Sequence, residues 1–236
     1  MNFINHFILV LLFVIFASCS KEKLKESVIK EKSLDGQVLE AYEEGLNSLR
    51  GGDVLYAAKK FNEAEMLFPQ SEWAPKSALM AAYSYYSQDY LDDAIAELDR
   101  FLIVYPLSKN IDYATYLLAN SHYEKIVDEK KDLQSILFAK ENFNKVLKNH
   151  PNTEYALDSE FKIDLINDIL AAKEMYLGRY YFDRKKWIPA INRFRTVIDE
   201  YDTTIYVEEA LHRLVEVYYT IGLINEAEKY AKILGY

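Results

Sequence analysis

A single cysteine, Cys19, occurs among 236 residues, so no disulfide can form within the chain. Glycine and proline are scarce, at 7 and 5 residues, which argues against long irregular stretches and against an all-β fold with its many turns. Basic residues do not predominate. Lys and Arg total 28 against 37 Asp and Glu, and a formal net charge of −9 disfavours nucleic acid as a partner. The four histidines, His6, His122, His150 and His212, are scattered, and no HExxH, CxxC or glycine-rich phosphate loop occurs. Nothing singles out a nucleophile, base or metal cluster, so the chain reads as a non-enzyme with no metal and no cofactor. His122 reads as a packed or surface helical residue. Acidic pairs such as Asp92-Asp93 and Glu208-Glu209 read as carboxylates at helix starts.

Residues Phe7 to Phe16 (FILVLLFVIF) form an unbroken apolar run, too short for a stable bilayer span and suited to a signal-peptide core. Phe16-Ala17-Ser18-Cys19 follows at once and resembles the bacterial lipoprotein box. That resemblance implies a signal peptide over residues 1–18, cleavage before Cys19, and covalent lipid on Cys19. Phe16 stands where leucine is usual, and the leader has no Lys or Arg. Several acyl chains on one residue make membrane attachment stable, where a single chain is marginal. Residues 19–34 then read as the lipidated cysteine and a flexible tether, since Lys21 to Lys32 (KEKLKESVIKEK) is mostly charged.

What the sequence does hold is helical periodicity. Half of its residues are apolar, 28% are charged, and 20 are tyrosine. Small and aromatic residues recur in the order expected of tetratricopeptide-type hairpins of about 34 residues. Gly45, Ala57, Phe61, Ala64 and Pro69 mark a first copy. Ala82, Tyr85, Ala94, Leu98, Phe101 and Pro106 mark a second. Ala119, Ala139, Phe143, Val146 and Pro151 mark a third, with a charged insert from Val127 to Gln134. Gly178, Tyr181, Ala190, Phe194 and Val197 mark a fourth, with Asp202 in the proline position. Val215, Tyr218, Ala227, Ala231 and Leu234 mark a fifth. No turn signal interrupts Tyr155 to Gly178, so one long helix from about 153 to 183 is expected to link copies three and four. The predicted fold is all-α: a right-handed superhelical array of five hairpins, its concave face lined by first helices. Its expected divisions are repeats 1–3 over 35–152, and the long helix with repeats 4–5 over 153–236.

Some residues exceed what hairpin packing needs. They are Asp99-Arg100 before Phe101, Asn110-Ile111-Asp112-Tyr113 with Tyr116, Tyr83 to Tyr86, Asn192-Arg193-Phe194, and Ala227 to Leu234. Together with Cys19 they resemble the BamD family, lipoproteins of the outer-membrane β-barrel assembly machine. The resemblance implies a scaffold and receptor held by lipid on the periplasmic face of the outer membrane. It implies docking of the C-terminal repeats on a POTRA domain of the insertase BamA, contact with other assembly-machine lipoproteins, and an N-terminal pocket for targeting signals of unfolded β-barrel proteins. Carried onto this sequence, the BamA contact names Arg193 and Asn192. The signal pocket names Phe68, Trp73, Tyr83, Tyr85, Tyr86 and Tyr116, each of which alternatively serves the core. Arg100 and Asp112 read as a structural ion pair or cap, and whether the Asp99–Tyr113 stretch lines the pocket or braces it stays open. Two other readings share the repeats: a periplasmic adaptor lipoprotein organising cell-envelope or cell-division complexes, and the helical domain of a lytic transglycosylase. The latter would need a catalytic domain for which no room is expected.

Overall fold

The computed structural model describes residues 33–126 and 133–235. Cys19, the leader, the tether and most of the charged insert lie outside the described residues. Among those described, ten helices and no strand occur, and residues from Leu34 onward form one compact unit. The helices are α1 (Leu34–Arg50), α2 (Val54–Leu67), α3 (Trp73–Tyr86), α4 (Leu91–Val104) and α5 (Ile111–Glu124). They continue as α6 (Leu133–Asn149), α7 (Glu154–Asp183), α8 (Trp187–Glu200), α9 (Val207–Thr220) and α10 (Ile224–Leu234). Each packs on its neighbour in sequence. The fold is thus all-helical and built from local pairings.

Two kinds of turn alternate, and each has a chemical cause. Within the hairpins α1/α2, α3/α4, α7/α8 and α9/α10, one left-handed residue closes the turn: Gly52, Asp89, Lys185 and Gly222, with φ of 84°, 60°, 55° and 82°. In each case the next amide reaches back to a carbonyl in the last turn of the helix, as Lys186 N does to Tyr181 O at 2.9 Å. This is the Schellman closure. Between hairpins, the amides of Ser71, Ser108, Thr153 and Thr204 donate to the carbonyls of Phe68, Tyr105, His150 and Tyr201 at 3.0–3.2 Å. Hydroxyls of Ser71, Thr153 and Thr204 reinforce the same carbonyls at 2.8, 2.9 and 2.8 Å. Proline follows the first three of those carbonyl residues and Asp202 follows the fourth. The turn survives there because Thr204, not the ring of a proline, supplies its hydrogen bonds.

Inside a hairpin, a small residue on one helix receives a large one from the other. Gly45 lies against the Phe61 ring and Gly178 against the Phe194 ring. Both phenylalanines are fully buried, as are Phe101 and Phe143. Each contributes about 2–3 kcal/mol of apolar burial. The 30-residue α7 serves two neighbourhoods. Ile166 and Leu170 share a core with Ala119, Ile136, Ala139 and Phe143 of α5 and α6. Ala171 and Met175 belong instead to a core with α8, α9 and α10. The switch between the two cores falls at the adjacent residues Leu170 and Ala171.

Candidate functional site

First helices of successive hairpins share one groove of about 500 Å3. Its lining comes from Tyr42 on α1; Lys76, Leu79, Met80 and Tyr83 on α3; Asn110 and Tyr113 at the start of α5; and Tyr155 at the start of α7. Four tyrosines, two aliphatic side chains and a single cation face the space, with no carboxylate among them. No carboxylate belongs to the lining, although Glu154 and Asp112 act on the Tyr155 phenol from its edge.

The walls are braced from behind. The Tyr42 ring packs edge-on against Phe61 at 5.2 Å and against Trp73 at 5.1 Å, and the Lys76 ammonium stands over the Trp73 ring at 4.8 Å. Tyr155 packs between Tyr113 and Tyr116, with centroids 5.4 and 5.1 Å apart. Burial raises the pKa of Tyr42. Burial and then the neighbouring phenols push Tyr113 up to about 12. These phenols are neutral at any physiological pH. Each offers an apolar face with a hydroxyl at its tip. The groove is equipped to hold aromatic or aliphatic side chains of an extended segment and to hydrogen-bond its polar groups.

Of the six residues assigned to the pocket from the resemblance, Tyr83 lies in this lining. The others are half-buried in four different places. Phe68 and Trp73 pack on the Val38, Ala41 and Ala64 core. Tyr85 packs on Ala57, Ala58, Phe61 and Ala81. Tyr86 packs on the α3–α5 core and donates its hydroxyl to Glu124. Tyr116 donates to Asp158 and lies against Phe143. Tyr42 and Tyr155 are tyrosines that the sequence did not point to, and Tyr113 is the one whose place, lining or bracing, the sequence left open. One usable signal was available: Tyr42 lies three residues before the small Gly45, on the helix expected to face inward.

The Asp99–Tyr113 stretch does both jobs, divided by residue. Asn110 and Tyr113 line the groove. Arg100 braces, but its partner is Glu65 of the preceding hairpin and not Asp112. Its guanidinium donates a fork to both Glu65 oxygens at 2.8 and 2.7 Å, and Nε donates to Glu97 at 2.8 Å. The Tyr105 hydroxyl donates to Glu65 as well, at 2.6 Å. Burial pushes the Glu65 carboxyl up, but Arg100 and Tyr105 outweigh it and hold the group below its ordinary value. Asp112 accepts from the Tyr113 amide at 2.8 Å, a helix-start contact.

Arg193 and Asn192 sit on α8, where they border a shallow depression of about 230 Å3 with Tyr181, Ile188, Pro189 and Thr196. Arg193 donates to both oxygens of the largely buried Glu174 at 2.9 and 3.2 Å. One guanidinium nitrogen, Nη1, is therefore engaged within the chain, while Asn192 is exposed. His122 lies against the Phe138 ring at 5.1 Å, and burial lowers its pKa, so it is neutral near pH 7. Among the described residues, no group of acidic, histidine or cysteine side chains is arranged to hold a metal, and no helix is long and apolar enough to cross a membrane.

Stacked antiparallel hairpins whose first helices share an aromatic groove define a helical-repeat scaffold. More narrowly, the chain belongs to the BamD, or YfiO, family of outer membrane lipoproteins, whose family model matches residues 34–233. It is 39% identical over 220 residues to the outer membrane protein assembly factor BamD of Caulobacter vibrioides, covering 93% of this chain and 71% of that protein. It is 38% identical over 223 residues to the BamD of Rickettsia prowazekii, covering 94% of this chain and 86% of that one. A crystal structure of MamA protein overlaps 83% of this chain and 88% of that chain, with a TM-score of 0.43 at 19% identity.

Proposed function

We propose that this chain is a non-catalytic receptor and scaffold of outer-membrane protein assembly, anchored by lipid on Cys19 at the periplasmic face of the outer membrane. Its relatives carry the name outer membrane protein assembly factor. The observation that carries the receptor role is the aromatic groove, without a carboxylate in its lining, contributed by α1, α3, α5 and α7. An unfolded β-barrel segment alternates apolar and polar side chains and is rich in aromatics. Tyrosine faces with Leu79 and Met80 suit its apolar side chains, and Lys76 and Asn110 suit its polar groups. In the same reading, the α8 surface around Asn192 and Arg193 meets a POTRA domain of a BamA-type insertase, and further lipoproteins of the machine join the array.

The test is fluorescence anisotropy with an extended, aromatic-ended barrel-strand peptide. Tyr83→Ser should weaken binding about tenfold, corresponding to about 1.4 kcal/mol, with helical circular dichroism unchanged. Equal affinity in folded Tyr83→Ser and Met80→Glu variants refutes the groove as the receptor. Copurification from solubilised outer membranes should recover a BamA-type barrel, and Asn192→Glu should reduce that recovery. Asn192 is the cleaner probe, because Arg193→Glu would set a new carboxylate against Glu174. Recovery of no such barrel favours the cell-envelope adaptor.

A further inference from the structure

Helix α7 carries an apolar stripe that the fold leaves uncovered. Leu157, Phe161 and Leu165 follow one another at steps of four and are 74%, 62% and 37% exposed. At 3.6 residues per turn they share one face. The buried residues of the same segment, Ala156, Ser159, Ile166 and Leu170, point the other way, toward α5 and α6.

The repeat logic explains why the stripe is open. In an array, a first helix is covered by its own second helix. Helices α3, α5 and α9 have 14 residues each, and each packs on its own second helix. Helix α7 has 30, and its second helix, α8, packs only on the later half, where Gly178 meets Phe194 and Ala171 and Met175 share a core with Ala190. The first half of α7 therefore lacks the helix that the pattern would place beside it.

The charges around the stripe say what kind of helix would fit. Between Glu154 and Asp168 the sequence holds five carboxylates and one lysine, Lys162. Glu154 alone lies in the first turn, where the helix dipole accounts for it. Glu154, Asp164 and Asp168 fall alongside the stripe, while Asp158 accepts from the Tyr116 hydroxyl. Lys162 is turned away, 3.9 Å from Asp158 and over the Tyr123 ring at 4.9 Å. Acid facing acid disfavours a second copy of this chain, and the same carboxylates repel an anionic membrane surface.

We infer that the Leu157–Phe161–Leu165 face of α7 docks a basic amphipathic helix of another protein, which takes the place of the absent second helix. About three turns of partner suffice to cover the stripe, with apolar anchors at i, i+4 and i+7 and lysine or arginine on both flanks. None of these residues lines the aromatic groove, so this site stands or falls apart from the receptor role.

The probe is a synthetic helical peptide of about 15 residues with leucines at that spacing and flanking lysines, titrated into the full lipoprotein in detergent. It should bind saturably, weaken at least about tenfold in Phe161→Ser, and weaken with added salt. Asp164→Lys with Asp168→Lys should reduce the salt dependence. Leu107→Ser, at a still more exposed apolar site elsewhere, should change nothing. Phe161 is a surface residue, so the variant should keep the wild-type helical signal and melting curve. Failure of the peptide to bind overturns the inference, as does equal binding by Phe161→Ser or by a peptide with glutamates for lysines. A wild-type dimer that Phe161→Ser abolishes assigns the face to a second copy instead. Binding seen only after Leu24→Ser with Val28→Ser assigns it to the chain's own tether. Either result also overturns the inference.

Discussion

Gly178→Ala puts a methyl group where the Phe194 ring now sits. A Cβ built on Gly178 meets three ring carbons at 2.4, 2.7 and 2.9 Å, whereas one on Gly45 meets the Phe61 ring at 2.9, 3.0 and 3.1 Å. Ordinary carbon contacts lie near 3.5–4.0 Å, so the Phe194 ring must retreat by roughly 1 Å and the Phe61 ring by roughly half that. Phe194 is fully buried among α7, α8 and α9. Overpacking of this kind costs about 2–3 kcal/mol, and the better helix propensity of alanine offsets about 1 kcal/mol. The expected net loss for Gly178→Ala is about 1–2 kcal/mol, a fall in melting temperature of roughly 2–8 °C for a chain of this size. Gly45→Ala should cost less, about 0–1 kcal/mol, because the overlap is smaller. Thermal and urea unfolding followed by circular dichroism read both variants. A double variant with Phe194→Leu isolates the clash: it should be more stable than the sum of its parts by about 1 kcal/mol or more. A Gly178→Ala protein more stable than wild type, or strict additivity with Phe194→Leu, refutes the reasoning.

The Glu65–Arg100 staple should appear in the acid limb of stability. Glu65 titrates below its unfolded value near 4.5, so its contribution is complete above that pH and is lost as pH falls through the lower folded value. Glu65→Gln should flatten this part of the urea-midpoint profile and cost about 1–2 kcal/mol at pH 7, the lower end because Arg100 is half-open to water. Wild-type and variant profiles that superimpose from pH 7 down through 4.5 would show that the pair contributes nothing. At the α7–α8 turn, Lys185 holds φ at +55°, a conformation disfavoured for a residue with a Cβ. Lys185→Gly should raise stability by about 0.5–1 kcal/mol in the same unfolding assay. No gain would mean that the lysine side chain compensates through contacts of its own.

Core positions were legible from spacing alone. Gly45, Ala57, Phe61, Leu98, Phe101, Phe143, Gly178 and Phe194 are buried at the places their periodicity assigned. Hairpin contacts are local, so a step of three or four along one helix determines which side chains turn inward. Groove residues were much less legible. Tyrosine is amphipathic, and a half-buried tyrosine satisfies the same local pattern whether its ring braces a wall, as Tyr85 does, or forms one, as Tyr83 does. Arg100 illustrates the same limit. Sequence proximity suggested Asp112, but the stacking of one hairpin on the next delivers Glu65, 35 residues away, into the reach of its fork.

By itself, the sequence determined the class of fold, the register of the hairpins, the lack of any recognisable catalytic motif, and a family resemblance carried by short motifs. These properties follow from periodicity, from turn chemistry and from residue identity, all of which act over a few residues. Only the tertiary structure decided which tyrosines share a groove, that no carboxylate belongs to its lining, that Arg193 is engaged by Glu174, and that the first half of α7 stands without a second helix beside it. Each of these depends on how separate helices rotate and stack against one another. That arrangement is set by the summed packing of buried side chains across neighbouring hairpins, which no single stretch of the chain encodes.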